Sequence, residues 1–222
     1  LILPNIMKTS IEDYIKHIYT LQDSKRRVGT AVLAQKMDIT MPSVSEMVKK
    51  LTAAGYLRNK PYHGFLLTGE GEKIAVSLIR KHRLLEYFLL KVLNFEWDEI
   101  HQEAETLEHF VSDKFIDRLE SVLDFPKFDP HGHPIPDGKG RIPNAKSLVL
   151  SDTVIGRNYV VSSVDDKSRE ILKYLKGIGI KIGSGFRIHD MLEVDKSVII
   201  KFERKKYLLS KTISDSIRVT AK

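Results

Sequence analysis

Apolar residues recur at helical spacing near the start of the chain. Ile11, Tyr14, Ile15, Ile18 and Leu21 share one face, and Thr9 with Glu12 three residues on reads as a capping box, which predicts a helix from about Ser10 to Gln22. The stretch VGTAVLAQKMDITMPSVSEMVKKLTAAGYL follows. Thr30 is expected to cap a short helix through Met37, Asp38-Ile39-Thr40 to turn, and Pro42 to sit in the first turn of a second helix that Gly55 ends. Leu57 to Lys60 and Phe65 to Thr68, joined by Pro61-Tyr62-His63-Gly64, read as a β-hairpin, so the region predicts a winged helix-turn-helix.

From Glu70 to Phe125 the period is helical: one helix to about Leu93, a break near Asn94, a second over HQEAETLEHF (101–110), and a third from about Ser112 to Leu123. PKFDPHGHPIPDGKGRIP (126–143) is rich in Pro and Gly and marks a boundary. Beyond it, strands are expected at Ser147–Leu150, Asn158–Val164, Gly185–His189, Ser197–Phe202 and Ser216–Val219, with one helix near Lys167–Lys176, as in a small β-barrel. The chain is expected to be mainly α with β, divided at 7–78, 79–125, 126–145 and 146–222. The glycines of KGIGIKIGSG match neither a P-loop nor a dinucleotide fingerprint and are explained by turns.

A length of 222 residues and 42% hydrophobic content fit a globular chain of one to three domains. No apolar run approaches the roughly 18 residues of a membrane span, and LILPNI (1–6) is too short for the apolar core of a signal peptide. A cytoplasmic location without membrane contact is expected. Zero cysteines agree with it and remove thiolates from the possible metal ligands.

The net charge of +7 conceals a pattern. Residues 1–83 carry 14 basic and 7 acidic side chains, 84–137 carry 4 and 13, and 138–222 carry 18 and 9. A basic first third suits a polyanion such as DNA, and an acidic middle suits a cation. In the middle region, a helical HQEAETLEHF would bring His101, Glu105, Glu108 and His109 within an arc of roughly 100°, bordering an apolar stripe, with Glu103 elsewhere. Charged groups at the edge of a buried stripe are costly unless something pairs with them.

The helix from Met41 to Ala54 is placed to enter a major groove. Thr40, Pro42, Ser43, Ser45 and Glu46 are candidates for its DNA contacts, while Lys49, Lys50, Arg58 and Lys60 would meet phosphates. Helix-turn-helix units also serve as plain protein-interaction modules, but the basic charge of the segment favours DNA.

SIEDYIKHIYTL, PSVSEMVKKL, GYL with GFLLTGEGEKIA, RKHRLLEYFL and IHQEAETLEH, in that order, resemble the metal-dependent repressors of the diphtheria toxin repressor and manganese transport regulator family. The resemblance covers the whole chain. It implies a winged DNA-binding domain, a helical dimerisation and metal-binding domain, a Pro-rich tether and an SH3-like (FeoA-like) C-terminal domain. It implies a homodimer that binds a palindromic double-stranded operator when loaded with Mn²⁺, controls metal-ion uptake genes and uses no organic cofactor. An iron-responsive repressor, with Fe²⁺ as the activating ion, is the alternative, and other divalent ions could substitute in vitro.

The family's principal metal site falls here on Asp13, Glu105, Glu108 and His109. Each has a bland alternative, since Asp13 could favour a helix N-terminus and the glutamates could be surface acids. Their coincidence in a matched motif outweighs that. Where the iron-responsive branch has Met and Cys, this chain has Asp13 and Glu105, and oxygen donors suit Mn²⁺. A second site is expected at His82, Glu86 and His101, extended by Asp129 and His131 of the tether and by Asp166, although Asp165 and Asp166 could simply cap the next helix. Asp129 stands where some relatives have Cys. His17, His63, His133 and His189 are expected to be packing or surface residues. A metal-dependent enzyme is the rival from another class, yet H-E-x-x-H, H-x-x-E-H and the paired Glu-x-x-His of di-iron bundles are all missing. A scaffold in which the acids only bind the basic last domain is a third reading.

Overall fold

The computed structural model describes residues 3–22, 27–144 and 146–222, with side chains from Ile11 onward. The chain divides into two compact units. The first holds residues up to Lys81 with Glu108–Asp113 and Pro136–Arg141, and the second holds His82–Leu107, Lys114–Ile135 and Ile142–Lys222.

In the first unit α1 (Leu3–Leu21), α2 (Thr30–Met37) and α3 (Met41–Ala53) precede a hairpin of β1 (Leu57–Lys60) and β2 (Gly64–Leu67). Tyr14, Ile15 and Ile18 of α1 and Val44, Val48 and Leu51 of α3 are buried in one core with Phe65, the outcome that the helical period dictates. Asp38 adopts a left-handed conformation (φ 53°) to end α2, and the Thr40 hydroxyl accepts the Ser43 amide at 3.4 Å to start α3, with Pro42 in the first turn. The hairpin gains a short third edge, because Val28 exchanges two 2.9 Å backbone hydrogen bonds with Phe65. Gly64 makes this possible: its φ is +82°, and a Cβ there would lie 2.3 Å from the Val28 carbonyl oxygen.

Two capping expectations fail. The first helix already runs from Leu3, which leaves Thr9 inside it, and Glu12 is employed elsewhere. Thr30 is the first helical residue of α2, whose N-cap position is Gly29 without a side-chain cap.

Next come α4 (Gly69–Lys91), α5 (Ile100–Leu107) and α6 (Asp113–Val122). The second helix was expected to cover the whole decapeptide, but α5 stops at Leu107, and Glu108 to Phe110 form a turn. The single-arc argument therefore holds only as far as Glu105. No helix among the described residues is long and apolar enough to cross a membrane.

The second unit ends in a six-stranded antiparallel sheet, the SH3-like domain, in the order β3-β8-β4-β5-β6-β7. Its strands are β3 (Leu148–Val149), β4 (Asn158–Val164), β5 (Gly185–Met191), β6 (Val198–Phe202), β7 (Lys205–Leu209) and β8 (Ile217–Ala221), with α7 (Arg169–Gly177) after β4 and α8 (Lys211–Asp215) between β7 and β8. Tyr159, Val161, Ile188, Ile200 and Val219 project into its core together with Leu172 of α7. Neither β7 nor α8 was expected from the sequence.

The first part of the Pro-rich segment, residues 126–135, packs within this unit. His131 is fully buried, its carbonyl accepts the Val164 amide at 2.9 Å, and a Cβ on Gly132 (φ +83°) would meet the Ser162 carbonyl oxygen at 2.0 Å. Trp97 Nε1 donates to the Pro130 carbonyl at 3.1 Å, and the Arg83 guanidinium donates to that of Pro134.

Candidate functional site

In the first unit, α1 presents Asp13 to Glu108 and His109 of the turn after α5. His109 Nε2 lies 3.0 Å from Asp13 Oδ1 and 3.7 Å from Glu108 Oε1, while His109 Nδ1 lies 2.8 Å from Glu12 Oε2. Glu108 is buried, and Lys16 Nζ donates to both its oxygens at 2.7 and 3.0 Å. Burial alone would lower the His109 pKa, but hydrogen bonds to Asp13 and Glu12 reverse this and push it up to about 9. A protonated imidazole and an ammonium thus sit where a cation's charge is wanted. Glu12 and Lys16 were missed by sequence reasoning. They sit one residue before and three after Asp13 on the same helix, and their partners are 97 and 92 residues away, a separation no local period reports.

Glu105 belongs to the second unit, where its Oε1 lies 3.6 Å from His101 Nε2 and the side chain is half exposed.

A larger cluster forms in the second unit. His82 and Glu86 lie one turn apart on α4, and His82 Nε2 is 3.0 Å from Glu86 Oε1 and 3.1 Å from His101 Nδ1. Glu86 Oε1 is also 3.3 Å from His101 Nδ1 and 3.6 Å from His131 Nδ1. Asp166 Oδ2 faces three imidazoles, those of His101, His133 and His131, at 3.4, 3.6 and 3.9 Å. Burial opposes the charged form of each partner, but the imidazoles still hold Glu86 and Asp166 below the usual carboxylate range. Hydrogen bonds to Asp166 and Glu86 outweigh burial to push His101 up to about 10.

The details suit a cation. Glu86 Oε2 and His131 Nδ1 are buried without a hydrogen-bond partner among the described residues. His131 Nε2 lies 3.1 Å from the Trp97 carbonyl oxygen, which can only accept, so Nε2 carries a proton and Nδ1 is the ring atom that faces Glu86 and Asp166; burial would lower the His131 pKa, but these carboxylates raise it.

Asp129 is employed differently. Its Oδ1 accepts the His131 and His133 amides at 2.8 and 2.9 Å, and its Oδ2 lies 3.1 Å from His133 Nδ1 and 3.7 Å from Arg83 Nε. It shapes the tether as well as contributing charge. Asp166 enters the cluster, whereas Asp165 is exposed and accepts the Lys167 amide at 3.0 Å. His133, expected to be an ordinary surface residue, joins Asp129 and Asp166 in a donor group of its own. The only sequence hint was its alternate spacing with His131.

On α3, Val44, Val48 and Leu51 face the core, which leaves Pro42, Ser43, Ser45, Glu46, Lys49 and Lys50 exposed together with Thr40 and, on β1, Arg58 and Lys60. The Thr40 and Ser43 hydroxyls are 2.9 Å apart, and Glu46 Oε1 pairs with Lys50 Nζ at 2.8 Å, so part of this surface is engaged within the helix. Arg27, which pattern reading missed, donates to the Arg58 and Gly64 carbonyls at 3.1 Å each and ties down the hairpin.

Family profiles match most of the chain. Residues 7–65 match the N-terminal DNA binding domain of the iron dependent repressors, 68–137 their metal binding and dimerisation domain, and 148–221 the FeoA domain. The chain is 38% identical over 120 residues to the HTH-type transcriptional regulator MntR of Oceanobacillus iheyensis, covering 54% of this chain and 81% of that protein. The chain belongs to the DtxR/MntR family of metal-dependent transcriptional repressors. Another family member, the iron-dependent repressor IdeR of Mycobacterium tuberculosis, is 35% identical over 132 residues, 60% of this chain and 57% of IdeR. The solved structure of a manganese-dependent transcriptional repressor in complex with manganese superposes with a TM-score of 0.88 at 32% identity, covering 96% of this chain and all of that one. The family consists of transcriptional repressors rather than enzymes.

Proposed function

We propose that this repressor is activated by Mn²⁺ and, as a homodimer, binds a palindromic operator that controls metal-ion uptake. The observation that carries the reading is a pair of donor clusters, each with a buried carboxylate, built from imidazole and carboxylate alone, one of which keeps two orphaned buried atoms. In the first cluster Asp13, Glu108 and His109 would hold the ion, and Glu105, three and four residues before the last two, is proposed as a further donor on spacing. In the second, His82, Glu86, His101, His131 and Asp166 would hold it, with Asp129 as an added carboxylate. The bound dication supplies a fixed positive charge that several carboxylates can share. For their part, the protein groups must yield: His109 and His101 give up a proton, and Lys16 releases Glu108.

The DNA reading rests on the exposed small and basic residues of α3 and β1, and the dimer on apolar side chains left in solvent. In the second unit Val92, Leu93, Phe115, Val122 and Phe125 are all at least 46% exposed, and apolar side chains of this size left in solvent are what a second copy of the chain would cover. A scaffold reading is less well served. The acids that meet the basic last domain are Glu96, Asp98 and Glu99, which pair with Arg169 and Lys176 and lie outside both clusters.

Equilibrium dialysis against Mn²⁺ with metal counting tests the reading. About two ions per chain should be retained, Glu108→Ala and His131→Ala should each lose about one, and Mn²⁺ should support operator binding at lower free concentration than Fe²⁺. No retained metal would leave a scaffold, and preference for Fe²⁺ would make it an iron-responsive repressor.

A further inference from the structure

The solvent face of the C-terminal sheet carries a row of cations that the metal and α3 readings do not use. Arg187 of β5 pairs directly with Lys201 of β6, and Lys201 pairs with Lys206 of β7. Asn158 of β4 extends the row on the other side of Arg187. All four are exposed. At about 4.8 Å per strand, the three charges span about 10 Å. Like charges directly opposite one another weaken a sheet, so such a row is costly unless something compensates for it.

Nothing in the unit does. Among the described residues no carboxylate is within ion-pair distance of Arg187, Lys201 or Lys206. Asp190, Glu193, Asp195 and Glu203 are the acids of these strands and their turns, and Asp195 accepts the Ser197 amide and hydroxyl at 3.0 and 2.6 Å. Asp190 accepts the Met191 amide, and Glu203 occupies a left-handed turn position (φ 54°). Two of the cations are held in place by other groups: Arg187 Nε donates to the Gly156 carbonyl at 3.0 Å, and Lys206 Nζ lies 2.5 Å from His189 Nε2. Protection of an exposed sheet edge would explain a lysine on β7, which is an edge strand, but β5 and β6 are flanked on both sides. Two of the three rungs therefore need another reason.

We propose that this face, through Arg187, Lys201 and Lys206, binds the phosphate backbone of duplex DNA independently of sequence. The proposal rests on the DNA-binding reading of the chain and adds a second contact to it. Duplex DNA presents about six charges over 10 Å of axis, a density that answers three aligned cations, and neutralising phosphates makes affinity fall with salt by about 0.9 per contact on a log–log plot.

The test uses the full Mn²⁺-loaded chain and a duplex lacking any operator sequence, with binding followed by anisotropy between about 50 and 200 mM salt. Lys201→Gln with Lys206→Gln should make the salt slope shallower by about 1.8, and Lys201→Arg with Lys206→Arg should keep it. Relief of repulsion also means that the Gln pair melts no lower than wild type; a lower melting temperature would overturn the repulsion argument. Equal slopes for the Gln pair and wild type, with wild-type binding intact, would remove the sheet face alone. A Gln pair that keeps its DNA slope but loses binding to phosphatidylserine vesicles would assign the face to a lipid surface and also overturn the proposal. A wild-type chain that binds no duplex at any salt would remove the α3 reading along with this one.

Discussion

Lys16 grips both oxygens of a carboxylate that is almost wholly withdrawn from water, and that pairing decides how the first cluster behaves without metal. Charged groups at the edge of a buried stripe are costly unless paired, and the sequence alone names only a metal ion as the partner of Asp13 and the decapeptide's acids. Instead Glu108 is neutralised by Lys16, and Asp13 by His109. Lys16→Ala should lower the stability of the metal-free chain by about 1–3 kcal/mol, because a buried carboxylate loses a charged partner. Mn²⁺ should then raise the melting temperature more in the variant than in wild type. Equal destabilisation with and without Mn²⁺ would show that Lys16 and the ion do not compete for Glu108.

The same pairings set a pH dependence. His101 and His109 have folded-state pKa values of about 10 and about 9, above the ordinary 6.5. A raised value means that protonation favours the fold, so this contribution is complete below 6.5 and is lost as pH rises through 9 and 10. Metal demands the neutral rings, so its affinity should weaken as pH falls, with about one proton released per ion at pH 7. Calorimetry in buffers of different ionisation enthalpy measures that number directly. Metal choice is also a residue-scale matter: Glu105→Cys should move activation toward Fe²⁺ or Co²⁺ relative to Mn²⁺, since a thiolate rewards softer ions. An unchanged ranking in a DNA-binding assay would show that Glu105 does not set selectivity.

At the scale of elements, the sequence was legible wherever one face is buried and the other solvated. The helix-turn-helix, the hairpin and strands β4 to β6 follow from periods of 3.6 and 2, with turns at Asp38, Gly55 and Gly64. Illegible were the elements whose pattern is overwritten. β7 begins with Lys205 and Lys206 after Arg204, so its apolar alternation is hidden, and α8 has only five residues. The end of α5 was missed because nothing in HQEAETLEHF announces a stop: no Gly or Pro follows Leu107, and the turn is held by long-range partners of Glu108 and His109. The clusters were legible as residue types in a matched motif; the roles of Glu12, Lys16 and His133 depend on pairings that only the fold creates.

The tether is the element with most at stake. It was read as a boundary, yet it buries His131 against β4 and Trp97. His131→Ala should remove one metal per chain and expose residues 126–143 to protease even with Mn²⁺ present. It should weaken operator binding less than Glu108→Ala does, because water can partly replace one ligand of a cluster that has several more. Full stoichiometry and wild-type protection in His131→Ala would return His131 to a packing role.

For the whole molecule, the three electrostatic regions acquire separate tasks. The basic first third contains the exposed face of α3, the acidic middle supplies most of the metal donors, and the basic last third supplies Asp166 and the cationic row on the sheet. The account requires that metal change the affinity for DNA. Converting a 1:99 population into 99:1 takes about 5.5 kcal/mol of differential binding, within reach of several carboxylates and imidazoles on a dication. The most direct measurement is anisotropy of an operator fragment titrated with the full chain at fixed salt, once with Mn²⁺ and once with a chelator in its place. A loss of binding by two or more orders of magnitude in chelator is the predicted result, and superimposable titrations would contradict it.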